Sequence, residues 1–595
     1  MVRQFGRLFC SVLILFSSQI AAENLVQIKI EGLAEAKNHQ ILQENILNKL
    51  SLEQQKNHPR LSASRIRRLH KQAPKQIQEA LHPFGYYNIK VKAKLTHPQK
   101  AQSQWIALYL IDLGKPVQFQ KVEVSILGDA AEDKTFQKFY TDFPIKVGDT
   151  LDHSEYEKTK RVLRNFSEER GYFDAKLLEH KVEVDETAYT ANMSLTFDSK
   201  QRYHFGEVIF QQDSFDESLL QRFFTFQPGD FYTTTALLAF KNALIHSDYF
   251  NNVKVDIPRS SPTNDLHLPV TVTLAPNEPN KFSAGIGYGT DTGVRGSIEW
   301  KRRYLNRYGH RFSAKAELSE IRQSVTTRYE IPMGQSIDNF LAITAGYKDE
   351  HTNTSESEVF LIGLSKHHSR TFLNTKLSEV VGIEYRDERY AVGSDTGHAK
   401  LLMPNISWSY VKADNRIYTL HGQKIQLKVK GALNNLGSNT SFLQTYLSST
   451  FIRQFFAKGR IIARGEVGYS VISLLDGDFH DLPPSIRFFA GGDRSVRGYD
   501  YQTLGPKNVE GQVIGGKNLL VGSFEYEHQI IDKWSLAIFY DVGNAFNDFS
   551  EPIKHGAGIG GRWQSPVGLV RIDVATALSE DGHPIRLHIT IGPDL

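Results

Sequence analysis

The sequence predicts a multidomain chain: three small α+β domains followed by an antiparallel transmembrane β-barrel of about 16 strands. Three observations predict it. A helix, aromatic pair and strand recur three times in the first half. From about Lys281 the helical period disappears and alternating segments continue to the end. The chain also opens with the features of a secretory leader.

The leader comes first. In MVRQFGRLFCSVLILFSSQIAAE, Arg3 and Arg7 form a basic start, Leu8 to Phe16 an apolar core, and Ala21-Ala22 a small-residue cleavage site before Glu23. Residues 1–22 are therefore expected to be a signal peptide, too short for a stable span. The only cysteine, Cys10, lies inside it, and Arg7-Leu8-Phe9 lacks the small residues of a lipoprotein box. The mature chain is thus expected to have no disulfide, thiolate metal site or cysteine nucleophile. Removing Arg3 and Arg7 from the 70 basic residues leaves 68, against 66 acidic ones. That balance points away from a polyanion partner, nucleic acid included. No later apolar run approaches the ~20 residues of a transmembrane helix.

The repeats follow. FGYYNIKVKAKL (Phe84–Leu95), RGYFDAKL (Arg170–Leu177) and SDYFNNVKVDI (Ser247–Ile257) each close a helical pattern and open an alternating strand. Two copies place Gly85 or Gly171 before the aromatic pair, where a helix end needs a left-handed residue; the third has Asp248. Upstream, a Gly-Asp turn leads into a helix in both VGDTLDHSEYEKTKRVLRNF and PGDFYTTTALLAFKNAL. Asp152 with Glu155 has the form of a capping box. Tyr156, Leu163 and Phe166, and later Leu237, Phe240 and Leu244, give each helix one apolar face. Each unit reads strand, helices, strand, strand. These units resemble POTRA domains, the periplasmic modules of outer-membrane assembly proteins, over 23–114, 115–202 and 203–276. Binding would fall on an exposed sheet edge that an extended segment can join.

The barrel occupies 277–595. Ile585, Leu587, Ile589 and Ile591 alternate with Arg586, His588 and Thr590. Val570, Ile572 and Val574 alternate with Arg571, Asp573 and Ala575, and Leu520, Gly522, Phe524 and Tyr526 with Val521, Ser523, Glu525 and Glu527. Ionised residues on one face through strand after strand suit a wet lumen, with lipid taking the apolar face. Closure pairs every backbone group, as hydrocarbon requires.

One loop stands out. RFFAGGDRSVRGY (Arg487–Tyr499) carries three arginines, one aspartate and close glycines between alternating runs. SVRGY, with GSFEYE (Gly522–Glu527), FYDVGNAF (Phe539–Phe546) and GIGGRWQSPVGLVRIDVA (Gly558–Ala575), resembles the loop and final strands of the BamA-like POTRA-barrel insertase superfamily. PPSIRFFAGGDRSVRGY, three POTRA units and the ending IGPDL are most similar to its TamA family of translocation and assembly module subunits. Many outer-membrane barrels end in an aromatic residue; Leu595 does not, so how this barrel is itself recognised stays open.

The resemblance implies that a loop over about 480–515 folds inward and that Arg497 pairs with Glu525 and Asp541 on the wall. Gly498 would allow a close turn, Gly491 and Gly492 the bend, and Phe488, Phe489 and Tyr499 the packing. It also implies a seam between the first and last strands that opens sideways. Gly285, Gly287 and Gly289 weaken the first strand, and Gly592-Pro593 stops the last one just beyond Ile589. Alternatively, the glycines only make room for the loop. The expected function is non-enzymatic: insertion or translocation of outer-membrane proteins such as autotransporters, with a TamB-like inner-membrane-anchored partner on the POTRA units. Phospholipid transport with the same partner and two-partner secretion remain alternatives. No cofactor is expected. Asp291–Gly293 and Asp395–Gly397 mimic the paired Asp-Thr-Gly of an aspartic protease but read as hairpin turns. His367-His368 has no third metal ligand at useful spacing.

Overall fold

The computed structural model describes residues 26–595, apart from 35, 37, 59–60, 99–103, 259–265, 335, 374, 473–477 and 566–567. The leader and Cys10 therefore lie outside the described residues. Three domains of one plan precede the barrel. In each, a three-stranded sheet places its N-terminal strand beside its C-terminal strand, with the remaining strand on the other side. In the first, Val26–Glu31 runs parallel to Trp105–Asp112, and Lys90–Thr96 antiparallel to it. The helices His39–Lys49 and Ala63–Leu81 cover one sheet face; Leu42, Ile46, Ile66, Leu69 and Ile77 share the core with Ala107 and Tyr109.

The second domain shows how the motif works. Asp152 caps the helix His153–Arg170 by accepting the Ser154 N–H at 2.8 Å. The reciprocal half of the expected capping box is replaced: Glu155 turns outward to Lys158, 3.3 Å away. The shorter reach to the second helical N–H leaves Glu155 free for that solvent-facing pair. Gly171 ends the helix at φ +83°, Gly85 holds the same position in the first domain at φ +83°, and Asp248 in the third at φ +62°. The position is left-handed in all three, with or without glycine. The next aromatic then enters the core: Tyr172 meets Phe136 edge-on, and Tyr249 is fully buried. Asp248 also accepts the Nε–H of Arg303 at 3.0 Å.

Sixteen antiparallel strands, from Asn280–Gly289 to Ile585–Gly592, close into a barrel in sequence order. The alternation sets their facing. Leu520 and Phe524, Ile572 and Val574, and Ile585 and Leu587 are exposed on the outside, while Glu525, Glu527, Asp573 and His588 are buried within. Asp395–Gly397 begins the strand Asp395–Ala413, and His367 lies mid-strand, stacked on Phe340 with ring centres 4.3 Å apart.

Candidate functional site: a pinned loop and the barrel seam

The connection between the strands Gly459–Val471 and Asn518–Ile531 carries the arginine-rich motif into the lumen. Its base forms a small ladder. Phe488 and Gly516 exchange hydrogen bonds of 2.9 and 2.7 Å, and Ala490 and Leu504 exchange two of 2.9 Å. The Phe488 ring fills the space over Gly468 and stacks on Tyr446, while Phe489 packs against Gly515. Gly491 (φ +99°) and Gly492 (φ +108°) turn the chain; side chains there would run into the Asp500 carbonyl and the Asp291 carboxylate.

This turn delivers Arg497, only 2% exposed, to the inner wall. It donates Nε–H and Nη2–H to the two oxygens of Asp541 at 2.7 and 2.9 Å, a bidentate pair. Nη1 reaches Glu525 at 2.8 Å and Asp573 at 3.2 Å, and the guanidinium lies 3.3 Å from the ring centre of Phe539. Gly498 (φ +98°) touches the neighbouring strand: a Cβ would stand 2.7 Å from the Thr576 carbonyl carbon. Tyr499 is buried and donates its hydroxyl to the His555 carbonyl at 3.2 Å.

The pairing extends well beyond these residues. Arg562 donates to Glu525 and Asp573 at 2.6 Å each and to Glu527 at 3.1 Å. Arg460 joins Glu527 to Asp594, both at 2.6 Å, and Arg571 reaches Asp594 at 2.6 Å. With Arg464, 3.6 Å from Glu525, five arginines (460, 464, 497, 562, 571) balance five carboxylates (525, 527, 541, 573, 594). Burying this many charges is tolerable only because each acid keeps a cation and directed hydrogen bonds. Sequence reading missed Arg460, Arg562, Arg571 and Asp594. Their signal was phase: each of the three arginines shares the lumen face with the acids.

The seam is short. The first strand pairs with the second over ten positions and the last with its predecessor over eight, yet first and last share one register pair, Gly289 with Thr590. The Thr290 N–H donates to the Ile589 carbonyl at 3.0 Å, the Ile589 N–H to the Thr290 hydroxyl at 2.6 Å, and Arg295 to the Ile591 carbonyl at 3.1 Å. Ile286, beyond the paired stretch, is 96% exposed. Gly285 and Gly287 face inward, where Cβ atoms would meet Ser297 at 2.9 Å and Arg295 at 2.7 Å. The room they leave is used by the second strand; Gly289 alone borders the loop, through Asp493. After Gly592-Pro593 the chain turns inward, and Asp594 takes Arg460 and the Thr419 N–H.

Asp291, dismissed above as a turn residue, meets Asp493 of the loop and His588 of the last strand. The Asp493 N–H donates to Asp291 at 2.6 Å, and His588 Nδ1 lies 2.7 Å from Asp493. The Gly498 N–H donates to His588 Nε2 at 2.9 Å, so the imidazole proton sits on Nδ1 and points at Asp493. No nitrogen lone pair is left for a metal ion; the group is held by protons. Burial, and then the Asp493 carboxylate, push the Asp291 carboxyl up to about 7.

The fold and lumen lattice define an outer-membrane β-barrel protein with periplasmic POTRA domains. The Omp85 superfamily domain matches residues 278–593, more than half of the chain, and the chain belongs to that superfamily. The POTRA domain TamA domain 1 matches 27–113, and the surface antigen variable number repeat matches 121–201 and 203–275. The chain is 21% identical over 462 residues to an outer membrane protein assembly factor BamA of Nitratidesulfovibrio vulgaris, covering 73% of this chain and 56% of that one. A Neorickettsia risticii BamA is 24% identical over 396 residues, covering 61% and 51%. This chain thus spans about half the length of these relatives. In fold it is similar to the crystal structure of BamA from Haemophilus ducreyi lacking POTRA domains 1-3: TM-score 0.67, 18% identity, 80% of this chain and 100% of that one.

Proposed function

We propose that this chain is a non-enzymatic outer-membrane assembly factor that admits client β-strands through the seam between its first and last strands. One observation carries the reading: a single register pair closes an otherwise extensively paired barrel. Unpaired backbone groups at a sheet edge are a template for an incoming strand. The finer form of the proposal is a TamA-type subunit serving clients such as autotransporters. A TamB-like inner-membrane-anchored partner would dock on the POTRA domains. The match of the first domain to the TamA-type POTRA supports that form.

The test is a reversible lock. Gly289→Cys with Thr590→Cys places a disulfide at the one register pair. Oxidised protein in proteoliposomes should fail to insert an autotransporter barrel, and reductant should restore insertion. Equal insertion by locked and reduced protein would remove the seam from the mechanism.

A further inference from the structure

We propose that the lumen beside the seam holds a binding site for a phosphate-class oxyanion, formed by Arg494, Arg464 and Arg295 around Gly592. A cavity of about 470 Å³ opens beside Pro593, lined by Arg464, Arg494, Arg571 and Lys424 among others, and Arg295 lines a neighbouring one. That is room for a phosphate group with several waters, each of which takes ~30 Å³ of liquid volume. A Cβ on Gly592 would stand 4.0 Å from Nη2 of Arg295 and 4.0 Å from Nη2 of Arg494. Two guanidinium groups therefore flank one glycine, with no side chain between them.

The charge lattice does not account for Arg295 and Arg494. Among the described residues, no carboxylate forms an ion pair with Arg295 or Arg494, and Arg295 has only the Ile591 carbonyl. Arg464 joins the lattice at its edge, 3.6 Å from Glu525, an acid already engaged by Arg497 and Arg562. The other acidic side chains lining the cavity have contacts of their own. Asp493 holds His588, Asp573 holds Arg562, Asp594 holds Arg460 and Arg571, and Glu466 accepts the Tyr446 hydroxyl. Arg571 also keeps a buried Nε–H with no partner. Arg295 and Arg494 are thus the guanidinium groups left without a carboxylate in ion-pair reach.

Guanidinium groups crowded together with unused N–H donors favour an anion between them. The three come from separate elements: the second strand, the strand Gly459–Val471, and the loop. Donors drawn from three elements suit a tetrahedral oxyanion with three or more free oxygens better than a planar carboxylate, which takes one fork. The phosphate could belong to a lipid headgroup or be free in solution; the chemistry of the site is the same.

The experiment uses the full chain in detergent micelles, titrated with inorganic phosphate at constant ionic strength and followed by calorimetry and 31P NMR. Saturable one-site binding is expected, weakened about tenfold by Arg494→Ala and by Arg464→Ala, since one charge-assisted contact is worth about one decade. Arg494 makes no ion pair, so Arg494→Ala should keep the heat-resistant electrophoretic mobility of a folded barrel. Nanodiscs with and without an anionic phospholipid identify the source. Protection of the loop tip from hydrogen exchange only with the anionic lipid assigns a headgroup; protection only by added phosphate assigns the free anion. No saturable binding, unchanged affinity in both variants, or equal binding of acetate would overturn the proposal. No client is present in this assay, so its outcome is independent of the seam lock.

Discussion

Arg497→Ala is the most informative single change in the loop. The side chain is almost wholly buried and contacts three carboxylates. Glu525 and Asp573 would keep Arg562, but Asp541 would retain only the backbone N–H of residue 497, at 3.1 Å. The change therefore strands one buried carboxylate. Removing one partner of a buried pair costs on the order of 3–5 kcal/mol. At 1.4 kcal/mol per decade, the pinned state loses roughly two to four decades of preference over the loose one. No strand pairing involves residue 497, so the barrel should persist, with unchanged heat-modified mobility. The loop should lose hydrogen-exchange protection around Val496–Tyr499, and assembly activity in a complementation assay should disappear. Arg497→Lys should rescue only part of this, because an ammonium cannot bind Asp541 as a fork. Unchanged loop protection in the alanine variant, or full complementation at normal expression, would refute the pinning argument.

Two further outcomes follow from the same geometry. Gly498→Ala should reproduce the loop-loosening of Arg497→Ala although no charge is touched. A left-handed backbone costs a non-glycine residue about 1–3 kcal/mol, and the new Cβ would stand 2.7 Å from the Thr576 backbone; cysteine labelling at Ser495 reads the exposure. The contact between Asp291 and Asp493 should be pH-dependent. The Asp291 carboxyl is raised above its unfolded value, so its contribution is complete in acid, declines as pH rises from about 3.8 and is gone above about 7. Hydrogen-exchange protection factors at residues 490–495, taken relative to the intrinsic rate at each pH, should accordingly be higher at pH 5.5 than at 8, and Asp291→Asn should flatten the difference.

Much of the fold was legible because two periods, 3.6 and 2, carry it. The left-handed helix ends at Gly85 and Gly171 could be read from glycine itself, and Asp248 from its place in the repeat. The inward face could be read from alternation, which puts Glu525 and Asp541 in phase with the other lumen-facing residues of their strands. Partnership could not be read. Arg562 and Glu525 lie on strands whose register depends on every hairpin between them, and Asp594 reaches Arg460 only because the chain turns inward after Pro593. Gly560 shows how indirect the signal is. It reads as a weak strand residue, yet a Cβ there would collide with the Asp573–Arg562 pair. Asp291 reads as an ordinary hairpin residue because its partners come from sequence positions some 200 and 300 residues away.

The lattice also bears on which side of the seam is free to move. Arg497, Arg562, Arg460 and Arg571 tie the loop, the strands around Glu525, Asp541 and Asp573, and the tail at Asp594 into one charge-balanced network. The first strand contributes nothing to it. Across the seam its hairpin meets the loop and the last strand through the Asp291–Asp493 contact, the Gly289–Thr590 pair, the Thr290–Ile589 bonds and the Arg295–Ile591 bond. Moving the last strand's side would disturb several buried ion pairs, each costly to break from one side. Moving the first hairpin away from the last strand breaks a few hydrogen bonds, each worth about 0.5–1.5 kcal/mol net, among them the backbone N–H bonds that Asp291 and Asp493 exchange. The low-energy motion at the seam is therefore displacement of the first hairpin from a last strand that stays anchored through its neighbour and its inward-turned tail.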